Sequence, residues 1–98
     1  MTERLNEEQL SHALNELNDG LEHTWTIRDG MLNKSFTFKN FVSAFGFITQ
    51  VALQAQRLNH HPDWSNTYKV VDINLSTHKC DGISALDFKL AKLIESLV

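Results

Sequence analysis

Apolar residues first recur at helical spacing near the start of the chain. Four leucines follow one another at intervals of four, three and four residues: Leu10, Leu14, Leu17 and Leu21. This spacing predicts an amphipathic helix. Asn6 is suited to cap its first turn, and Gln9, three residues later, completes a capping box. We expect the helix to end near Asp19-Gly20, because glycine commonly follows a helix terminus.

The pattern then changes from helical spacing to alternation, which predicts a β-hairpin. Trp25 and Ile27 alternate with polar neighbours. The dipeptide Asp29-Gly30 is typical of a tight hairpin turn. Beyond the turn, three apolar residues share one parity along the strand: Leu32, Phe36 and Phe38.

A long amphipathic helix is predicted next, with Asn40 as its cap and a length of about eighteen residues. Its main apolar stripe comprises Phe41, Phe45, Ile48, Ala52 and Ala55, and a second stripe comprises Ala44, Phe47 and Val51. Two apolar faces favour two partners, the sheet of the same chain and a second subunit. The alternative is a helix that lies deep in its own core. Gly46 costs roughly 1 kcal/mol relative to alanine, which close backbone packing would offset.

The last strand and the last helix have the clearest patterns. Pro62 and the asparagine-rich segment after Leu58 are read as a loop. A strand is then predicted from Tyr68 to His78, with Val71, Ile73 and Leu75 facing one side and Asp72, Asn74 and Ser76 facing the other. Asp81-Gly82 is read as a turn. Ser84 and Asp87 form a capping box for a final helix with the apolar residues Leu86, Leu90, Ile94 and Leu97, preceded by Ile83.

These elements, in the order helix, strand, strand, helix, strand, helix, predict an α+β fold. Such an order favours a small, mainly antiparallel sheet covered by helices on one face. The 98 residues fit one domain, spanning 1–98, because a chain of this length has room for a single core. The polar side of the last strand is expected to lie on the uncovered face of the sheet.

Composition narrows the class of protein. Nine Lys and Arg against twelve Asp and Glu give a net charge of -3, which weighs against direct nucleic-acid binding. Apolar runs are too short to cross a membrane. The polar, acidic N-terminus is unlike a secretory signal. Cys80 is the single cysteine, which excludes an internal disulfide and fits a reducing cytoplasm, so we expect a cytoplasmic protein.

Three of the five histidines are the best candidates for chemistry. His60 and His61 are in the loop after the long helix, and His78 ends the last strand on its polar side. Imidazole donates and accepts protons near neutral pH, so a proton-transfer site is one interpretation. Surface histidines without chemistry and a metal site are the others. The hydroxyls of Ser76 and Thr77, with Trp64 or Trp25 as an aromatic wall, would suit a flat polar heterocycle.

The metal and nucleophile interpretations have less support. Adjacent histidines usually diverge, and the segment His78-Lys79-Cys80 has neither a Cys-x-x-Cys pair nor a His-Glu-x-x-His helix to accompany it. Cys80 is more simply a half-buried small residue than a nucleophile. No glycine-rich phosphate loop is present. His12 and His23 are interpreted as surface residues.

Longer motifs surround the three histidines. The chain has Asn59-His60-His61-Pro62-Asp63-Trp64, then Tyr68, Leu75-Ser76-Thr77-His78, Gly82-Ile83-Ser84 and Asp87. These motifs resemble those of the pterin-4a-carbinolamine dehydratases. Segments 36–41, 44–47 and 51–55 resemble the same family, so the resemblance covers roughly residue 25 to the C-terminus. The His-His-Pro and Thr-His elements at this separation are specific.

The resemblance implies a four-stranded antiparallel sheet with three helices packed on one face. It also implies a homodimer or homotetramer assembled through the helix at 40–58. The implied reaction is loss of water from 4a-hydroxytetrahydropterin to give quinonoid dihydropterin. That reaction recycles the cofactor of aromatic amino-acid hydroxylases, and it implies neither a metal nor a cofactor in the enzyme itself.

The resemblance also implies a set of site residues. The catalytic candidates are His60, His61 and His78, with His61 or His78 as the acid at the hydroxyl and His60 as a base or anchor. Asn59, Ser76 and Thr77 are expected to hydrogen-bond the pterin edge, partly through backbone groups. Asp87 is either a pterin ligand or only the cap of the last helix. Trp25 either walls the groove or packs in the hairpin core.

The chain departs from the family pattern at two positions. Gln56 stands where many members carry Glu, and Asn59 stands where some carry Asp. A carboxylate at either position raises the pKa of a neighbouring histidine and fixes its tautomer, so its loss is expected to weaken that bias. Two other functions stay open: a non-catalytic dimerisation or transcription-cofactor module, and a pterin-related role in molybdopterin metabolism.

Overall fold

The structure is a computed structural model that describes all 98 residues. Three α-helices and four strands follow one another in the chain. They are α1 Glu7–Asn18, β1 Thr26–Arg28, β2 Met31–Thr37, α2 Phe41–Leu58, β3 Asp63–Thr67, β4 Val70–Leu75 and α3 Ala85–Glu95. A short 3-10 turn, His78–Cys80, lies between β4 and α3. None of the helices combines the length and the apolar character that crossing a membrane requires.

The four strands form one antiparallel sheet in the order β1-β2-β4-β3. The α+β architecture is therefore confirmed. The strand that alternation alone did not predict is β3, which was read as a loop. Its five residues are exposed or only half-buried. β3 is an edge strand that is held in the sheet by its pairing with β4. Because of this pairing, it does not need a run of apolar residues facing the core.

Local turn and cap chemistry sets the element boundaries. Asp29 and Gly30 have φ values of 52° and 74°, the positive values that a two-residue hairpin turn requires. The Asn6 and Gln9 capping box begins α1, and Asn40 caps α2, which has the predicted length of 18 residues. The Ser84 and Asp87 capping box begins α3, as predicted.

The core is one cluster of 16 buried apolar residues between the sheet and the helices. Val71, Ile73 and Leu75 of β4 are fully buried within it, as alternation predicted. Beside them lie Leu90 and Ile94 of α3. Helix α2 contributes buried residues to the same core and contacts both β4 and α3.

The ranking of the two apolar stripes of α2 was wrong, because the stripe predicted to be the second one is the stripe that is buried. Its buried residues are the second stripe plus one alanine: Ala44, Phe47, Val51 and Ala55. Phe41 and Phe45, which head the stripe read as the main one, are exposed, together with Val42 and Leu53. Gly46 has no atom within 4 Å of an added Cβ, so the predicted close packing is not made within the chain.

The last strand is shorter than predicted. It ends at Leu75 instead of His78, because Thr77 turns to form an isolated bridge with Gly82. The chain between them makes the 3-10 turn and passes through Asp81 in the left-handed region, at φ 51°. His78 therefore begins a turn at the end of the sheet and is exposed.

Candidate active site

A cleft of about 690 Å³ lies at the end of the sheet where four segments of the chain meet. These are the loop after α2, the end of β4 with its 3-10 turn, the first turn of α3 and the N-terminal segment. The cleft collects all three candidate histidines. Its other lining residues include the predicted ligands Asn59, Ser76 and Thr77, together with Asp63, Asn74, Lys79, Leu86 and Thr2.

The end of α2 gives the two adjacent histidines different environments. Asn59 caps the helix in the left-handed region, at φ 51° and ψ 44°. The two rings that follow diverge. His60 turns inward and its side chain is 10% exposed, whereas His61 is exposed. Divergence was predicted for adjacent histidines, and it places one ring in the wall of the cleft and the other at its mouth.

His60 is held by a buried carboxylate. Its Nε2 lies 2.5 Å from Oδ1 of Asp87, whose side chain is 0% exposed. Because a carboxylate only accepts hydrogen bonds, the Nε2 proton faces it, and Nδ1 of the neutral ring is then an acceptor. Asp87 thus fixes both the orientation and the tautomer of His60.

The same carboxylate also organises the start of α3. Its Oδ2 accepts hydrogen bonds from the hydroxyl of Thr77 at 2.8 Å and from the backbone N–H of Ser84 at 2.9 Å. The hydroxyls of Thr77 and Ser84 lie 2.7 Å apart. Of the two alternatives given for Asp87, the structure shows the helix cap, and both of its carboxylate oxygens are directed to groups of the protein. It acts through His60 and as the helix cap.

His61 has a neutral partner in place of a carboxylate. Its Nε2 lies 3.0 Å from Oε1 of Gln56, one turn earlier on α2. This amide oxygen orients the ring by accepting its proton without adding a charge. The departure at Gln56 therefore affects His61, while His60 has a carboxylate that sequence reasoning missed. That carboxylate lies 27 residues away in the chain.

Neither predicted aromatic wall borders the cleft. Trp25 is 1% exposed, packs edge-to-face on Phe36 and donates its indole N–H to Glu95 at 2.8 Å. Trp64 stands opposite Ile73 in the β3–β4 register and packs against the core. Of the two alternatives given for Trp25, the structure shows packing in the hairpin core.

The other candidates for chemistry lie apart from this arrangement. No three His, Cys, Asp and Glu side chains converge in a way that could hold a metal ion. Cys80 is half-buried, with its Sγ 3.5 Å from the carbonyl oxygen of Thr77. His12 and His23 are exposed, as expected of surface residues.

The N-terminal segment forms a wall that sequence reasoning did not find. The backbone N–H of Leu5 donates to the carbonyl of Ile83 at 2.9 Å, and that of Leu86 donates to the carbonyl of Met1 at 3.3 Å. These bonds hold the segment against the start of α3 and bring Thr2 into the cleft. The close approach of this segment is visible at Gly82, where an added Cβ would lie 2.9 Å from Nε of Arg4.

Comparison with known proteins shows the family of this chain. A family model described as pterin 4 alpha carbinolamine dehydratase matches residues 3–97. The chain belongs to the pterin-4a-carbinolamine dehydratase family. Members of this family are named as hydro-lyases of a pterin carbinolamine.

Relatives match over nearly their whole length. A Rhodospirillum rubrum protein is 50% identical over 100 aligned residues, covering 100% of this chain and 99% of the relative. A Rhizobium johnstonii protein is 47% identical, covering 95% and 89%. Both carry the dehydratase name provisionally. A crystal structure from Brucella melitensis, described as a transcriptional coactivator/pterin dehydratase, superposes with a TM-score of 0.86 at 42% identity, covering 96% of this chain and 97% of that one.

Proposed function

We propose that this chain removes water from 4a-hydroxytetrahydropterin to give quinonoid dihydropterin, and that its histidines carry the proton transfers. One observation carries the proposal. Three imidazoles border a single cleft, and one of them is fixed by a buried carboxylate. A family whose members are named for this dehydration supplies the substrate class.

The reaction needs an acid and a base on one ring system. Protonation of the C4a hydroxyl lets the C–O bond break, and its electron pair leaves with water. The adjacent ring nitrogen loses its proton, and the N–H electron pair becomes the new C=N bond. Each proton transfer by a positioned side chain contributes typically about 10²–10⁴-fold.

The three histidines differ in ways that suit these roles. His61 and His78 are exposed at the mouth of the cleft, where a leaving water can depart, so we assign the acid to one of them. His60 is held by Asp87 and serves as the base or ring anchor through Nδ1. Asn59, Ser76 and the backbone of Thr77 border the same cleft and are proposed to bind the pterin edge.

The test is carbinolamine turnover by point variants. A hydroxylase generates the carbinolamine in the same cuvette, and its decay is followed by ultraviolet absorbance. We expect acceleration by the wild-type protein that is lost in His61→Ala and in His78→Ala, while circular dichroism and oligomeric state are unchanged. Full activity in both variants would contradict the assignment of the acid to His61 or His78.

We further propose that the chain forms a homodimer or homotetramer through α2. The exposed residues Phe41, Val42, Phe45 and Leu53 make an apolar face that the chain itself leaves uncovered. Phe45→Asp should reduce the molar mass measured by light scattering, with His78→Ala as the matched control that keeps it. A monomeric wild-type protein would contradict the assembly.

The same face supports a second candidate function, a binding module for another protein. The Brucella melitensis relative is described as a coactivator as well as a dehydratase. A folded sample that does not accelerate carbinolamine decay would favour this function. Acceleration of the decay would favour the dehydratase instead. A functional link to an aromatic amino-acid hydroxylase would in addition favour cofactor recycling in the cytoplasm.

A further inference from the structure

Four polar side chains on the sheet face opposite the core form a connected network: Asn33, Ser35, Asp72 and Asn74. Ser35 donates its hydroxyl to Oδ1 of Asp72 at 2.5 Å. Asn33, which is buried, donates Nδ2 to Oδ1 of Asn74 at 2.8 Å and lies 3.3 Å from Oδ1 of Asp72. Three of the four lie outside the cleft, but Asn74 borders it. The network therefore reaches the active site through one amide.

The network fixes which way the Asn74 amide points. Its Oδ1 accepts from Asn33, and its Nδ2 donates to Oδ2 of Asp72 at 3.1 Å. Asp72 is held ionised, because the Ser35 hydroxyl above all, then the amides of Asn33 and Asn74, lower its pKa. A flipped amide would set its oxygen against this carboxylate, and that arrangement has no hydrogen bond.

Half of the Asn74 amide is left for a ligand. A primary amide has two N–H donors and two oxygen lone pairs, and the network uses one of each. Ser76, two residues further along the chain, borders the cleft as well. At about 3.3 Å per strand residue, Asn74 lies about 7 Å from Ser76 along the chain direction, which is within the span of a two-ring heterocycle.

We propose that Asn74 reads the pyrimidine ring of the pterin, accepting from its 2-amino group and donating to ring nitrogen N1. This inference rests on the proposed function for its substrate class and adds a specificity-determining residue. N1 and the 2-amino group stand side by side as an acceptor and a donor, which a fixed amide matches. Lumazine has the reverse order, with a proton on N1 and a carbonyl at position 2.

The fixed orientation makes the discrimination strong. An amide free to rotate would accept both heterocycles by flipping, whereas a fixed amide leaves lumazine with two unsatisfied polar pairs. Buried polar groups left unpaired are what gives hydrogen-bonded sites their selectivity. Asp72 and Asn33 are thus positioning residues, since they touch Asn74 and border no part of the cleft.

The experiment measures dissociation constants for pterin and lumazine by ligand fluorescence at pH 7, using the full chain. We expect the wild type to prefer pterin by roughly 10–100-fold, as for one bidentate contact. In Asn74→Ala, the dissociation constants of pterin and lumazine should differ by no more than about threefold. Asp72→Asn should narrow the preference for pterin, because Nδ2 of Asn74 then loses its carboxylate partner and Asn33 alone orients the amide.

A matched control and a kinetic readout separate specificity from a structural role. Thr37→Ala changes the strand that carries Asn33 and Ser35 at a position outside the network, and it should keep the wild-type preference. In turnover, Asn74→Ala should raise KM about tenfold and keep kcat, since the amide is remote from the reacting hydroxyl. A merely structural role would lower stability and leave the pterin preference intact in the folded fraction.

The outcomes distinguish this inference from the proposed function. An unchanged preference in Asn74→Ala, with normal carbinolamine turnover by the wild type, overturns the role of Asn74 alone. Equal binding of both ligands by the wild type also overturns it. If the wild type prefers pterin but shows no turnover, and the preference disappears in Asn74→Ala, the pterin subsite is supported and the dehydratase function is contradicted.

Discussion

Each end of α3 has a carboxylate that is paired with a nitrogen of a distant side chain, and we propose that the two pairs differ in function. At the first turn, Asp87 binds His60 and accepts from Thr77 and Ser84. At the last residue, Glu95 binds Nζ of Lys34 at 2.6 Å and accepts the indole N–H of Trp25 at 2.8 Å. Each carboxylate joins the helix to the sheet or a loop, and each is largely buried.

The two pairs differ in the side chain that faces the carboxylate. Lys34 is 8% exposed, stacks 4.8 Å from the centre of the Phe36 ring and also donates to the carbonyl of His23 at 2.7 Å. This pair ties β2 to α3 and, through the carbonyl of His23, to the α1–β1 loop. Imidazole, by contrast, both donates and accepts protons, and the contact with Asp87 uses only one of the two ring nitrogens of His60. We therefore propose that the pair at the last residue of α3 is structural and that the pair at its first turn takes part in the chemistry.

The largest expected effect breaks the structural end. Lys34→Met should lower the free energy of unfolding by about 3–5 kcal/mol, because it leaves the Glu95 carboxylate buried without its cation. Urea unfolding followed by the fluorescence of Trp25 measures it. The activity of the folded protein should be unchanged. A loss below about 1 kcal/mol would show that the pair behaves as an exposed one.

The next largest effect breaks the chemical end. Asp87→Asn keeps an oxygen to cap α3 but removes the carboxylate from His60, so kcat/KM should fall about 10²-fold. Glu95→Gln is the matched control, since it makes the same chemical change at the other end of the helix. It should lower stability and keep kcat/KM. Equal effects of the two variants on kcat/KM would contradict the division.

A smaller effect sharpens the comparison at the N-terminal wall of the cleft. Gly82→Ala places a Cβ 2.9 Å from Nε and 3.2 Å from Cδ of Arg4, so the Arg4 side chain must leave its position beside the start of the segment that carries Thr2. We expect KM to rise about threefold. Arg4→Ala combined with Gly82→Ala removes the clash and should restore the Arg4→Ala value. A KM unaffected in the single variant would show that this wall does not contact substrate.

The smallest effect concerns a carboxylate outside α3. The pKa of Asp72 is lowered by its hydrogen bonds, first of all from Ser35, so its stabilisation is full above the unfolded value near ~3.9 and is lost as pH falls through the folded pKa. Asp72→Asn lacks this contribution. Its unfolding free energy should therefore fall less between pH 5 and pH 2.5 than that of the wild type. A steeper fall in the variant would reverse the sign.

Local chemistry explains which parts of the fold the sequence predicts. The caps at Asn6, Asn40 and Ser84 and the Asp29-Gly30 turn depend on neighbouring residues, and all were predicted. Strand β3 was not, because pairing with β4 holds it and no local pattern marks it. The two stripes of α2 were ranked wrongly, since periodicity shows apolar faces but not which one meets the sheet.

The same distinction applies to the candidate site. Motif spacing brought His60, His61 and His78 together, and the structure places all three at one cleft. The pair of His60 with Asp87 and the network behind Asn74 depend on contacts between distant segments, and no spacing rule connects them. A usable signal existed for Asp87, because its capping box places it at the start of α3, just after the Thr-His motif.

The most direct test of the account is the rate of 4a-carbinolamine decay in stopped-flow absorbance, with and without the wild-type protein at pH 7. The account predicts that decay accelerates in proportion to protein concentration. A folded, assembled sample that leaves the decay at its rate in buffer would contradict the claim that this histidine cleft dehydrates a pterin.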